Sequence, residues 1–468
     1  MGSGGAGAAG EIKKIGQRFC AVLGALDRRV ETGFRHRFAK SLSNQSDHFN
    51  AVFAPVKGLK PFCPAVLRWE WRAGRKCVRG SGFHADPVHG PLRLIHAPFR
   101  PLPAVSEKSK TSSSSNPSAG GGICWPGPGW IGQVAGRVNH SSGTLRVAIV
   151  SDVHYAGEAE RLRRQHESRA ISNPLLRIFL AAWRRWVWLA DPFAHNGLLD
   201  DFIAANRGCD LAVANGDYSC DTAFVGVADD AAFASAGECL QRLRVAFAGR
   251  LHVTMGDHEL GKKSFFGGAG GMRLASWPRA VRELAIPPIW SVRYGRYWLV
   301  GVTSSLWALP VYAQDALSDE YAAWEELREE QGRALDRVLA AMGEGERWIL
   351  FCHDPSALPF LAERDSVSNR LRQLECTLFG HLHSELIYWK SRLLAGMPQI
   401  AFMGNSVRRM SGALRRSSVW PRFRVRLCPS LAGLECAKDG GYLAMEIHPD
   451  ADHPVRILRR RLPRRAGC

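Results

Sequence analysis

Five short apolar runs in the middle of this chain each end in aspartate or histidine, and no other feature constrains the fold as strongly. Thr144-Leu145-Arg146-Val147-Ala148-Ile149-Val150 leads into Ser151-Asp152-Val153-His154. Cys209-Asp210-Leu211-Ala212-Val213-Ala214 leads into Asn215-Gly216-Asp217. Leu251-His252-Val253-Thr254-Met255 leads into Gly256-Asp257-His258-Glu259. Trp348-Ile349-Leu350-Phe351-Cys352 leads into His353-Asp354, and Cys376-Thr377-Leu378-Phe379 into Gly380-His381-Leu382-His383. Short β-branched and aromatic runs closed by turn residues read as buried strands. In open α/β sheets, groups just past the carboxyl ends of strands line the ligand crevice.

Helical patterns separate these strands. Residues 199–206 form a short amphipathic segment. From Tyr321 to Met342, the residues Trp324, Leu327, Leu335, Val338 and Met342 share one face, as in a helix packed on a sheet. Residues 291–294 and 297–302, joined across Gly295-Arg296, read as a hairpin, and 441–447 as a further strand. The expected architecture is α/β: a four-layer α/β/β/α sandwich with two mixed sheets, preceded by a poorly ordered N-terminal extension. With 46% hydrophobic and 22% charged residues, the chain carries enough apolar material for that core.

Residues 1–143 show no sustained periodicity and contain Ser112-Ser113-Ser114-Ser115 and Gly120-Gly121-Gly122, a linker composition. The expected division is therefore a basic extension and Ser/Gly-rich linker over 1–143, a domain over 144–458, and an Arg-rich tail over 459–468. The net charge of +19 belongs to the ends. Residues 1–140 hold 20 Lys/Arg against 7 Asp/Glu, and residues 405–468 hold 14 against 5. The middle holds 28 against 31. A near-neutral middle disfavours nucleic acid as a partner, despite the high overall pI. The 12 cysteines show no CxxC pair, so neither a disulfide scaffold nor a zinc ribbon is indicated, and Cys352 and Cys376 read as reduced core residues. No apolar run is long enough to span a bilayer. The run 19–26 after Lys13-Lys14 is too short, and too soon followed by charge, for a secretory signal.

The strand-end groups are Asp152, His154, Asp217, Asp257, His258, His353, His381 and His383. Carboxylate and imidazole together suit Zn²⁺, Mn²⁺ or Fe ions. Eight such groups exceed the needs of one tetrahedral ion and match two ions with a catalytic residue beside them. The spacing of two in Asp152/His154 and His381/His383 puts both side chains on one side of an extended segment.

In the order DxH, GD, G-[ND]-H-[DE], H, GHxH, these motifs resemble the calcineurin-like metallophosphoesterases over about residues 144–405. The resemblance implies the α/β/β/α sandwich and a dinuclear centre of divalent or trivalent ions (Mn, Zn or Fe). It implies that Asp152, His154, Asp217 and His383 hold one ion, and that Asp217 bridges to a second held by Asp257, His353 and His381. His258 would protonate the leaving oxygen or stabilise charge there. The implied activity is hydrolysis of a phosphomonoester or phosphodiester by a hydroxide bridging the two ions. The alternatives are a catalytically weak metal-binding interaction module and a nuclease using the basic ends. Gly404-Asn405-Ser406, after the run 399–403, resembles the turn that closes the pattern.

Two positions depart from the family. Asp257 stands where asparagine is usual, adding a charge. Cys220 stands where an aspartate commonly orients the catalytic histidine, so either Asp221 or another group must orient His258. Around the site, the Trp/Arg-rich segment 175–188 reads as a helix packed on the sandwich or, alternatively, as a lid or an interfacial helix on anionic lipid. The Gly-rich loop 261–272 carries Lys262 and Lys263 beside the motif, with a spacing unlike a P-loop. The expected partner is a phosphoester of unidentified class, and the expected location is cytoplasmic, with peripheral membrane contact through 175–188.

Overall fold

Alternate residues of the strand Leu145–Val150 belong to two different cores. Leu145, Val147 and Ile149 lie in one apolar cluster, and Ala148 and Val150 in another. The computed structural model of the chain describes residues 134–137, 143–163, 171, 173–178, 181, 195–264, 269–400, 405–432, 440–448 and 454–462. The sequence readings for 1–133, for most of 175–188, and for Gly404 lie outside these residues.

The strands are β1 (Val134–Arg137), β2 (Leu145–Val150), β3 (Leu211–Asn215), β4 (Leu251–Thr254), β5 (Ile289–Tyr294), β6 (Tyr297–Val302), β7 (Arg347–Cys352), β8 (Leu374–Phe379), β9 (Val425–Leu427), β10 (Gly441–Ile447) and β11 (Val455–Arg461). One sheet runs β11-β10-β2-β3-β4, in which β2, β3 and β4 are parallel and β10 is antiparallel to both β2 and β11. The other runs β1-β5-β6-β7-β8-β9, parallel throughout except for the β5–β6 hairpin. Both sheets are mixed, as expected.

The inter-sheet core joins Leu145, Val147, Ile149, Leu211 and Val213 of one sheet to Trp290, Leu299, Ile349, Phe351 and Leu378 of the other. The opposite faces pack on helices. These include α1 (Asn196–Asn206), α2 (Asp230–Ala246), α3 (Tyr321–Ala340) and α4 (Glu385–Leu393). Helix α2 starts at Asp229, whose carboxylate accepts from Ala231 N and Ala232 N and so caps two free amides. On α3, Trp324, Leu327, Leu335 and Val338 are buried, as their helical spacing requires. Each sheet is therefore buried on both faces, which is why β3, β6 and β7 read as continuous apolar runs.

Two boundaries differ from the sequence reading. Strand β1 lies within the stretch read as linker, yet pairs with β5; at 4 residues it is too short to show a period. Strand β11 extends through Arg459–Arg461, read as the start of a tail. Its Val455 and Ile457 pack against the inter-sheet core, and Arg459 pairs with Glu385 at 3.4 Å. Arginines suit this edge strand because charge there opposes further strand pairing. Cys352 and Cys376 are free and buried. No described helix is long and apolar enough to cross a membrane.

Candidate metal centre

The carboxyl ends of β2, β3 and β4 lie side by side in one sheet, and those of β7 and β8 side by side in the other. The turns that follow carry every side chain singled out from the sequence. Asp152, His154, Asp217, Asp257, His258, His353 and His383 are buried, and the His381 side chain is 24% exposed.

These turns are unusual in conformation. Nine described non-glycine residues have positive φ, and five of them are Asp152 (52°), His154 (47°), Asp217 (59°), His381 (63°) and His383 (59°). Left-handed backbone costs an ordinary residue about 1–2 kcal/mol, so its concentration here means that the surrounding structure enforces it. The backbone bonds that do so run between turns. Asp152 N donates to Gly216 O and His154 N to Asp217 O, while His381 N donates to the Asp152 carboxylate at 2.9 Å. Glycine is required where the turns touch: a Cβ on Gly380 would lie 2.0 Å from Ser151 Oγ and 2.4 Å from Asp152 Oδ2.

The donor atoms fall into two groups. Asp217, Asp257, His353 and His381 place one ligand atom each within 4.8 Å of one another, and so do Asp152, His154 and His383. A third such group, His154, Asp217 and His258, overlaps both. Within them, His353 Nε2 lies 3.1 Å from Asp217 Oδ2 and 3.2 Å from Asp257 Oδ1. His381 Nδ1 is 3.0 Å from Asp257 Oδ1, and His383 Nε2 is 3.4 Å from Asp152 Oδ1. His154 Nε2 faces His383 Nε2 at 3.3 Å.

The tautomer of His353 tests whether this cluster fits a metal. Its Nδ1 is 2.6 Å from Asn215 O, a carbonyl that only accepts, so Nδ1–H donates there. In the neutral ring Nε2 is then a lone pair aimed at two carboxylate oxygens, a repulsive arrangement that a cation resolves. A backbone carbonyl fixing the far nitrogen is also what metal-ligating histidines use. Burial disfavours charge on His353, but the Asp217 and Asp152 carboxylates outweigh it and raise its proton affinity well above the ordinary value. Three buried carboxylates among ring nitrogens demand positive charge. The donor set fits two N/O-coordinated ions.

His258 lies beside both groups. Its Nδ1 is 3.1 Å from Cys220 O and its Nε2 is 3.8 Å from Asp217 Oδ2. Burial, reinforced by the nearby Lys262 ammonium, pushes His258 down to about 3. The group that orients it is therefore the Cys220 carbonyl. Asp221 turns elsewhere and accepts from Val225 N and Gly226 N.

Sequence reasoning missed two residues. Glu259 is fully buried, and its carboxylate accepts from Asp217 N (3.1 Å), Tyr218 N (2.8 Å) and Gly256 N (2.8 Å), lacing the β3 and β4 turns together. Its place immediately after Asp257-His258 was the available signal. Lys262, read as a loop residue, places Nζ 2.6 Å from Asp257 Oδ2. The neighbouring Lys263 points away, its ammonium donating to Gln314 O.

A family model described as calcineurin-like phosphoesterase matches residues 145–385. No curated protein matches the chain. Among solved structures, the chain is similar to a dimetal phosphatase from Danio rerio, at 13% identity and a TM-score of 0.38, over 68% of this chain and 96% of that one. It is similar to a purple acid phosphatase from yellow lupin (Lupinus luteus) seeds at 13% identity and a TM-score of 0.28, over 52% of this chain and 38% of that one. A phosphopantetheinyl hydrolase from Mycobacterium tuberculosis matches at 15% identity and a TM-score of 0.25, over 52% of this chain and 84% of that one.

Proposed function

The chain belongs to the calcineurin-like phosphoesterase family, and on that premise we propose that it hydrolyses a phosphomonoester or phosphodiester with two metal ions (Mn, Zn or Fe). The observation that carries this reading is the division of the donor atoms into two adjacent groups. In the proposal, Asp152, His154 and His383 hold one ion, Asp257, His353 and His381 the other, and Asp217 serves both. Two ions held there would supply Lewis acidity, lowering the pKa of a water and offsetting the negative charge that develops at the phosphorus oxygens.

The protein's own groups do the rest. The Cys220 carbonyl fixes Nδ1 of His258 and leaves Nε2 directed at the centre. Burial keeps the free imidazole neutral, and in the proposal His258 Nε2 protonates the leaving oxygen or stabilises the charge that develops there. Asp217 is held twice, by Glu259 at its amide and by His258 N donating to its Oδ1 at 3.0 Å. That holding ties the Asp217 turn to the turn that carries Asp257 and His258. The substrate is a phosphoester whose leaving group the centre does not specify. Peripheral membrane contact through 175–188 stays part of the proposal, supported by Leu175 and Ile178, which face solvent.

The test is hydrolysis of an aryl phosphate and an aryl phosphodiester by the full chain supplied with Mn²⁺ or Zn²⁺. Asp217→Asn and His258→Ala are expected to abolish turnover while far-ultraviolet circular dichroism is retained. Wild-type activity in both variants would overturn the mechanism. Metal binding without turnover on either substrate would favour the interaction-module reading.

A further inference from the structure

The two oxygens of Asp257 have separate tasks. Oδ1 faces the donor cluster, 3.0 Å from His381 Nδ1 and 3.2 Å from His353 Nε2, whereas Oδ2 is 2.6 Å from Lys262 Nζ. The Lys262 side chain is 22% exposed and the Asp257 side chain 2%, so the pair is shielded from water, where an ion pair is little screened. The Lys262 ammonium thus sits on the carboxylate oxygen opposite the one that faces His353 and His381. The turn places it there: Gly261 adopts φ 91°, and a Cβ on it would lie 2.6 Å from both Gly271 O and the Val225 carbonyl carbon. That crowding redirects the chain immediately after the short helix Asp257–Leu260, bringing residue 262 back over residue 257.

We propose that Lys262 is a positioning residue of the metal centre, holding Asp257 Oδ2 so that Asp257 offers the ions a single oxygen and adds no net charge to the donor set. The inference rests on the reading of Asp257 as a ligand. An ammonium beside a dication opposes its binding, while the carboxylate that holds that ammonium favours it. Unit charges a few ångströms apart interact strongly where water is largely excluded, so the balance between Lys262 and Asp257 bears directly on metal affinity. Because Asp257 is what keeps the ammonium over the site, the effect of Lys262 depends on residue 257.

The experiment is a double-mutant cycle on the full-length, metal-free chain, with Mn²⁺ affinity measured by competition against a chelating dye. Lys262→Met is expected to tighten Mn²⁺ binding about tenfold when residue 257 is aspartate, and by less than about threefold in the Asp257→Asn background. Lys262→Arg keeps the charge and is expected to stay within about threefold of wild type, which also serves if Lys262→Met does not fold. Equal effects of Lys262→Met in both backgrounds, no effect, or weaker binding would each overturn the proposal. If the wild-type chain binds neither Mn²⁺ nor Zn²⁺, the metal centre itself fails. If it binds them and the cycle shows no coupling, only the role of Lys262 fails.

Discussion

Replacing Gly256 with alanine tests whether the close approach of the β3 and β4 turns builds the site. The backbone of Gly256 (φ −92°, ψ −172°) is one that alanine adopts freely, so conformational strain plays no part. The obstacle is contact: a Cβ there would lie 2.2 Å from Asp217 Oδ1 and 2.4 Å from Asp217 N. To reach an ordinary 3.4 Å separation from that amide, the Asp217 turn must retreat by about 1 Å. It cannot retreat alone, because Asp217 O accepts from His154 N and Asp217 N donates to Glu259. Overpacking of this kind costs about 1–3 kcal/mol in unfolding free energy. Displacing the supports of a ligand lowers metal affinity about 10- to 100-fold. Gly249→Ala is the matched control. Its φ of 71° disfavours alanine, but nothing lies within 4 Å of the new Cβ. It should cost about 1–2 kcal/mol and leave metal binding unchanged. Urea unfolding and Mn²⁺ competition on both variants decide the matter. Gly256→Ala binding Mn²⁺ within about twofold of wild type would refute the reasoning, as would an equal loss in Gly249→Ala.

Two other predictions concern the scaffold. Burial lowers His252, stacked on Trp290 with ring centroids 4.7 Å apart, from an ordinary 6.5 to about 4. A lowered folded-state value means that the unfolded chain takes up the proton first, so stability present above pH 6.5 is lost as pH falls toward 4. His252→Phe should therefore resist acid better, the wild type losing about 2 kcal/mol relative to it between roughly pH 7 and 5 in urea titrations; parallel losses would contradict this. Leu335, fully buried on α3, should cost about 2–5 kcal/mol on replacement by alanine, and a change within about 0.5 kcal/mol would show that the helix does not cover the sheet as described.

The fold class was legible because strands buried on both faces must be continuously apolar, and because each such run ended at a turn carrying Asp or His. Those ends are local features, written within a few residues. The helix α3 was legible for a similar reason, its buried positions recurring at helical spacing over 20 residues. Strand β1 was not, since its place depends on a β5 partner more than 150 residues away in sequence. The Arg-rich end of β11 read as solvated tail because an edge strand can be charged and still pair.

The Asp and His side chains proposed as donors were thus legible in the sequence alone. Their grouping was decided by tertiary structure, because it depends on how two sheets stack and in which register. The same holds for the groups that support them. Nothing local says that Glu259 would accept amides from two separate turns, that the Cys220 carbonyl and not Asp221 would hold His258, or that Lys262 would fold back onto Asp257. Hydrogen bonds and ion pairs of this kind act over about 3 Å and join atoms whose neighbourhood exists only once the chain has closed on itself.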